Sequence, residues 1–265
     1  MNDARRRGRT AFRGAVLLAG ACAAAVAWAA GCAASKAGGG APAGPVVRSL
    51  FDGASLDGWA GDPLHWRVEG GLLTGETTAE APIAHNTFLI RRTPTTGDFV
   101  LEFDYVVQSA WANSGVQYRS VEWPAATDQD RWIVGGYQAD IDEPAVYTGI
   151  LYGERDRGIL ALRGQQVEIA PGGKPNVVGA IGDAAALAKA IHGRGEWNHY
   201  RVAVAGNHIV HEINGQRMVD VVDNDAPAAA HDQHGSRPGG VIAFQLHTGQ
   251  PMKIQFRNVR LTETK

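Results

Sequence analysis

The chain predicts an all-β fold: a two-sheet antiparallel β-sandwich of the jelly-roll kind with one short surface helix. Three observations carry this. Phe99, Leu101, Phe103, Tyr105 and Val107 alternate with Val100, Glu102, Asp104 and Val106, the period of two of a strand with one buried face. Between Trp197 and Val222 three such runs follow one another. Ala205-Gly206-Asn207 and Asn214-Gly215 separate them, and Asn-Gly suits a two-residue turn whose central residues both need positive φ. Only one stretch carries a helix signature, and 34 glycines suit many tight turns.

The chain has 265 residues, and its first part does not read as fold. Arg5, Arg6, Arg7, Arg9 and Arg13 form a basic segment, followed by an apolar run from Ala15 to Ala30. Ala29-Ala30-Gly31-Cys32 fits the cleavage box of a bacterial lipoprotein signal, although Ala29 stands where Leu is commoner. The alternative is a plain secretory signal in which Cys32 is incidental. A twin-arginine route fits the arginines better than the residues after them. The expected organisation is a signal peptide over 1–31, a flexible Ala/Gly/Ser/Pro linker over 32–45 and a folded domain over 46–265. The expected destination is the periplasm or outer membrane as a lipoprotein lipidated at Cys32, or else secretion. Membrane contact would run through the lipid anchor alone.

Cys22 and Cys32, the two cysteines, both lie in the export segment, so the domain itself has neither a disulfide nor a thiolate nucleophile. Net charge is -2, and the arginines of the signal inflate the positive count. Nothing in this balance suggests nucleic-acid binding. Further strands are expected at 65–74, 86–91, 114–120, 132–140, 147–152, 158–162, 240–247 and 252–262. The helix is expected over Ala184–Ile191, capped by Asp183 and closed by Gly193.

Polar residues two apart on a strand share a face. Gln117 and Arg119, Gln138 and Asp140, Tyr152 and Glu154, and Gln245 and His247 are four such pairs, and Asp142 joins the second if that strand stays regular. A solvated sheet face also shows this alternation without any function. His247 suits proton transfer because imidazole titrates near neutrality. The other histidines His192, His199, His208, His211, His231 and His234 read as turn or meander residues. Asp223, Asp225, His231, Asp232 and His234 form a polar cluster that reads as a solvated loop more readily than as a metal site. Trp111, Trp123 and Trp132 could stack on a sugar, although such residues are more often core.

Several stretches resemble the 3-keto-disaccharide hydrolase family. They are Leu50-Phe51-Asp52-Gly53 with Leu56, Gly58 and Trp59; Trp66 to Gly71 with Leu73; Asp98 to Phe103; and Asn113 to Arg119. Gly136 to Ile141, Gly149 to Glu154, Gly195 to Asn198, Asn214-Gly215, Gln245-Leu246-His247 and Phe256 to Val259 continue the pattern across residues 48–262. The resemblance implies a concanavalin-like, lectin-like sandwich that binds a sugar on one sheet, and substrates that are glycosides oxidised at C3. A C3 ketone acidifies the C2 proton, so a modest base can remove it, the C1 substituent can leave, and water can add back. Such chemistry needs a base near C2, donors or a metal facing the C3 oxygen, and a proton source for the leaving oxygen. Asp140, Glu154 and His247 are the candidate catalytic residues. Gln117, Arg119, Gln138, Tyr152 and Gln245 are the candidate substrate-binding residues, with Arg119 facing the C3 oxygen or holding a carboxylate ionised. No cofactor is certain; a divalent metal is one way to hold the C3 oxygen, and its ligands are unknown.

Two other readings share the scaffold. A non-catalytic carbohydrate-binding module needs no base. An ordinary glucanase resembles a strand carrying Glu, Asp and Glu on alternate positions, but here Asp140 and Asp142 are followed by Glu143 on the other face and Pro144 in the third place. One departure from the 3-keto-disaccharide hydrolase pattern is Gly136, where many members carry Glu.

Overall fold

The computed structural model describes residues 45–95, 97–225 and 239–264. The proposed signal and nearly all of the proposed linker, with Cys32, lie outside these, as do His231, Asp232 and His234 of the polar cluster.

The described strands are, in chain order, Val46–Ser49 (β1), Trp59–Ala60 (β2), Trp66–Glu69 (β3), Leu72–Thr77 (β4), Thr87–Arg91 (β5), Asp98–Val107 (β6), Asn113–Glu122 (β7), Val134–Asp142 (β8), Leu151–Glu154 (β9) and Gly158–Ala161 (β10). Then follow Gln165–Ala170 (β11), Lys174–Ala180 (β12), the helix Ala184–Ala188 (α1), Asn198–Ala205 (β13), His208–Ile213 (β14), Gln216–Asp223 (β15), Val241–Leu246 (β16) and Met252–Thr264 (β17). They form two sheets. The first has ten strands in the order β12-β11-β15-β14-β13-β6-β17-β4-β3, with β1 also on β17. The second has seven, β10-β9-β8-β7-β16-β5-β2.

The alternating run at 98–107 is β6, the strand whose Leu101, Phe103 and Tyr105 point into the core. The meander is β13-β14-β15, and Asn214 and Gly215 turn at φ 50° and 79°. The expected strand at 65–74 is two strands, because Gly70 and Gly71 both take positive φ and fold β3 back on β4. The hairpin of β11 and β12 carries no strong alternation and was not expected. Its β11 lies parallel to β15, an exception to the antiparallel pairing expected throughout. The helix stops at Ala188, short of Ile191, and Asp183 caps it by accepting from the Ala186 amide.

Between the sheets lies one large apolar cluster. Phe103 and Phe256 of the ten-stranded sheet meet Phe244 of the seven-stranded sheet, with Phe244 and Phe256 centroids 4.2 Å apart, and Tyr200 stacks on Phe103. His211 is buried here too, where its Nε2 lies 2.7 Å from the Tyr118 hydroxyl and its Nδ1 3.2 Å from the Tyr200 hydroxyl. Burial pushes its pKa down to about 3, so it is a neutral, hydrogen-bonded core residue.

Candidate functional site

Inward on β8 point Tyr137, Ala139 and Ile141, all in the core. Their alternates Gln138 and Asp140 therefore point outward from the seven-stranded sheet. The register sets Gln138 opposite Tyr152 and Gly136 opposite Glu154, so β9 adds Tyr152 and Glu154 to the same face. A cavity of about 270 Å³ opens there, lined by Gln138, Asp140, Tyr152, Glu154 and His247 together with Asn86, Asn113, Tyr147, Ile150 and Ile159.

The floor is a run of side-chain amides. Gln117 Nε2 donates to Gln138 Oε1 at 2.6 Å. Gln138 Nε2 donates to Asp140 Oδ1 at 2.6 Å and to Gln245 Oε1 at 3.3 Å. Gln245 Nε2 reaches Glu154 Oε2 at 3.4 Å, and Asn86 Nδ2 donates to Glu154 Oε1 at 3.1 Å. Asp140 and Glu154 are thus joined through two amides. Gly115 keeps the lane open, since a Cβ there would lie 2.5 Å from Gln138 Cδ.

Electrostatics at this floor favour the neutral carboxyl. Burial, opposed by the Gln138 hydrogen bond and aided by the charges of Asp142 and Glu154, pushes Asp140 up to about 7. Burial also raises Glu154, against the opposing pull of Asn86, His247, Arg155 and Gln245. Tyr152 is raised by burial and by the charges of Glu154 and Asp140, so its hydroxyl keeps its proton at neutral pH. His247 is only partly exposed at the rim, where its Nδ1 lies 2.6 Å from the Thr248 carbonyl oxygen.

Five expectations are corrected. Arg119 is not at the site. The register of β7 against β8 shifts between Tyr118 and Val121, and Arg119 takes φ 49° there. The bulge turns its guanidinium away from the Gln117 face, onto the carbonyls of Gly206 at 2.5 Å and Gly97 at 3.0 Å. Gln117 and Gln245 do face the floor but are fully buried within the amide run, Gln117 beneath Gln138, so neither lines the cavity. Asp142 leaves the face as well. Its Oδ1 accepts from the amides of Tyr147 and Thr148 and its Oδ2 from that of Val146, which ties the loop after β8. Nor do Trp111, Trp123 or Trp132 line the cavity.

The same bulge accounts for Gly136. A Cβ there would lie 2.5 Å from Ser120 Oγ and 2.8 Å from Ser120 Cα, in a backbone at φ 144°. Ser120 takes up the space that a side chain at position 136 would need. Asn86 and Asn113 were not singled out from the sequence as cavity residues. Asn113 opens β7 and Asn86 immediately precedes β5, where the period of two has no run to register against. Among the described residues no group of three or more His, Cys, Asp or Glu side chains is placed to hold a metal ion. Asp223 and Asp225 of the polar cluster lie 2.8 and 3.5 Å from the Arg157 guanidinium.

Comparison with known proteins agrees with this architecture. No curated protein matches the chain. A candidate glycosyl hydrolase from Parabacteroides distasonis ATCC 8503 is 20% identical, with a TM-score of 0.50 over 83% of this chain and 100% of that one. A second from the same organism is 18% identical, with a TM-score of 0.50 over 83% and 94%. A galectin-like protein of unknown function from Bacillus subtilis is 10% identical, with a TM-score of 0.50 over 82% and 94%. These likenesses show the fold. The model of the 3-keto-alpha-glucoside-1,2-lyase-like domain matches residues 46–262. The chain therefore belongs to this 3-keto-disaccharide hydrolase-like family, as a carbohydrate-active protein on a lectin-like sandwich.

Proposed function

We propose that the protein cleaves 3-keto-glycosides by elimination across C1 and C2 followed by hydration, with Glu154 as base and Asp140 as acid. The observation that carries this is the pair of buried carboxyls, joined by Gln138 and Gln245, on one sugar-sized cavity. Asp140 is buried and faces two like charges, against a single amide donor, so it holds a proton near neutrality. Burial raises Glu154 too, but it receives two donors and the influence of His247 and Arg155, which oppose that rise. An acid that keeps its proton, beside a carboxylate stabilised by amide donors, is what C2 deprotonation with C1–O cleavage requires.

In this reading Glu154 takes the C2 proton and the C2–H electrons form the enolate at the C3 ketone. Tyr152, protonated, and Asn113 donate to the C3 oxygen as charge builds there. The enolate then expels the C1 substituent, and Asp140 gives its proton to the leaving oxygen. Water adds at C1 by the reverse path, with Asp140 now the base and Glu154 returning the proton to C2. His247 at the rim passes the Glu154 proton to and from solvent.

The test is incubation of purified protein with 3-keto-trehalose and with unoxidised trehalose. Cleavage of the keto form alone is expected. Cleavage of both would indicate an ordinary glycosidase, and binding without cleavage a carbohydrate-binding module.

We also propose that the chain is exported and lipidated at Cys32, on the strength of the arginine-rich, Ala-rich segment before it. A Cys32→Ser variant should move from the membrane fraction to the soluble periplasmic fraction. Unchanged membrane association would count against lipidation.

A further inference from the structure

We propose that Ser120 and Gln117, which do not line the cavity, are positioning residues that set the polarity of the amide run and thereby aim an amide donor, rather than an amide oxygen, at Asp140. This rests on the acid role proposed for Asp140, but its geometry stands apart from any substrate. A side-chain amide has an oxygen at one tip and an NH₂ at the other, so fixing one tip fixes the other. At the inner end of the run the Ser120 hydroxyl lies 2.7 Å from Gln117 Oε1, nearer than the backbone oxygens of Tyr118 and Tyr137 at 3.1 and 3.4 Å. With its oxygen held there, Gln117 must offer its NH₂ to Gln138 Oε1. Gln138 must then offer its NH₂ to Asp140 and Gln245, and Gln245 its NH₂ to Glu154.

Reversal of any one amide would set oxygen against oxygen. Ser120, Gln117 and Gln245 are fully buried and Gln138 is 2% exposed, so water cannot relieve the clash. The fold spends two special backbone positions on this anchor. The bulge in β7 turns Ser120 onto the face of Gln117, where strict alternation would have aimed it into the core. Gly136 leaves the space in which the hydroxyl sits.

The groups near Asp140 are Gln138 on its own strand and Glu154 and Tyr152 on β9, with His247 at the rim of the same cavity and Asp142 acting through its charge from the end of β8. Of these, Gln138 is the donor hydrogen-bonded to the Asp140 carboxylate, and its orientation is what Ser120 and Gln117 determine. Loss of the anchor lets Gln138 turn its oxygen toward Asp140, which favours the protonated carboxyl.

The test is carbon-13 NMR titration of the Asp140 carboxyl in the unliganded protein. Ser120→Ala should raise its midpoint by about one pH unit, the size expected for a weakened hydrogen bond to a charged group. Gln117→Met should do the same or more. The upper limb of the pH–rate profile should move by the same amount, whereas a general loosening would lower the rate at every pH without moving the limb. A folded Ser120→Ala protein with an unmoved Asp140 midpoint overturns the proposal. Should both variants fail to fold, the wild type still decides. The Gln117 and Gln138 amide protons should exchange slowly and shift as Asp140 titrates, and fast exchange or silence refutes the role. If the midpoint moves while the pH–rate limb does not, the positioning stands and the acid assignment of Asp140 falls.

Discussion

The outer faces of the two sheets treat charge in opposite ways. On the ten-stranded sheet the carboxylates of Glu212, Asp220 and Asp104 each meet an arginine in or near water. Arg201 lies 2.8 Å from Glu212, Asp220 bridges His208 and Arg217 at 2.7 Å each, and Asp104 sits between His199 at 2.9 Å and Arg257 at 3.2 Å. Burial pulls Asp104 upward, but hydrogen bonds from His199, Asn258 and Arg257 outweigh it and hold its pKa below the ordinary value. On the seven-stranded sheet Asp140 and Glu154 are buried and hydrogen-bonded only to side-chain amides. Both titrate above the ordinary range. A cation at the floor would have stabilised the fold and removed the acid. Leaving the cation out costs stability and gives a carboxyl that exchanges protons at neutral pH.

The largest expected effect that would break this contrast is on turnover. Glu154→Gln and Asp140→Asn should each lose about 10²–10⁴-fold in cleavage of a 3-keto-glycoside, with far-ultraviolet circular dichroism unchanged. Asp140→Asn should also remove the high-pH limb of the profile, because the wild-type acid is lost as pH rises through about 7.

Stability should move the other way. Asp140 has a raised folded pKa, so its ionisation opposes folding. The penalty is absent below the unfolded value of 3.8 and grows as pH rises toward about 7. Asp140→Asn should therefore gain on the order of 2–4 kcal/mol at pH 8 by urea unfolding, and nearly nothing at pH 3. Asp104→Asn on the other sheet should show the opposite sign. Its depressed pKa supplies stability that is present above the ordinary carboxylate range and lost on acidification, so the variant should be weaker than wild type at pH 7. If both variants shift the same way, the contrast between the faces is wrong.

His247→Ala should cost about tenfold, below the usual span for a direct acid or base, because His247 stands at the rim. The low-pH limb should rise in that variant, since His247 helps to keep Glu154 ionised. Smallest of all is the Arg201–Glu212 pair. A double-mutant cycle to Met and Gln should give a coupling below about 1 kcal/mol, with turnover unchanged.

Much of this was legible in the residues alone. Alternation identified β6 and the meander, Asn214-Gly215 fixed a turn, and spacing of two placed Gln138 with Asp140 and Tyr152 with Glu154. Those are local properties, set by the pleat within one strand. Tertiary structure decided the rest. The bulge in β7 exists because of how that strand pairs with β8 and β16, and it exchanged the places of Arg119 and Ser120. Only the neighbour relations of β8, β7, β16 and β9 could show that Gln117 lies beneath Gln138 and that Asn86 reaches Glu154 across 68 positions of sequence. The period of two tells which residues share a face of one strand. Which strands lie side by side, and where one of them slips by a residue, is settled by pairing and packing between segments far apart in the chain.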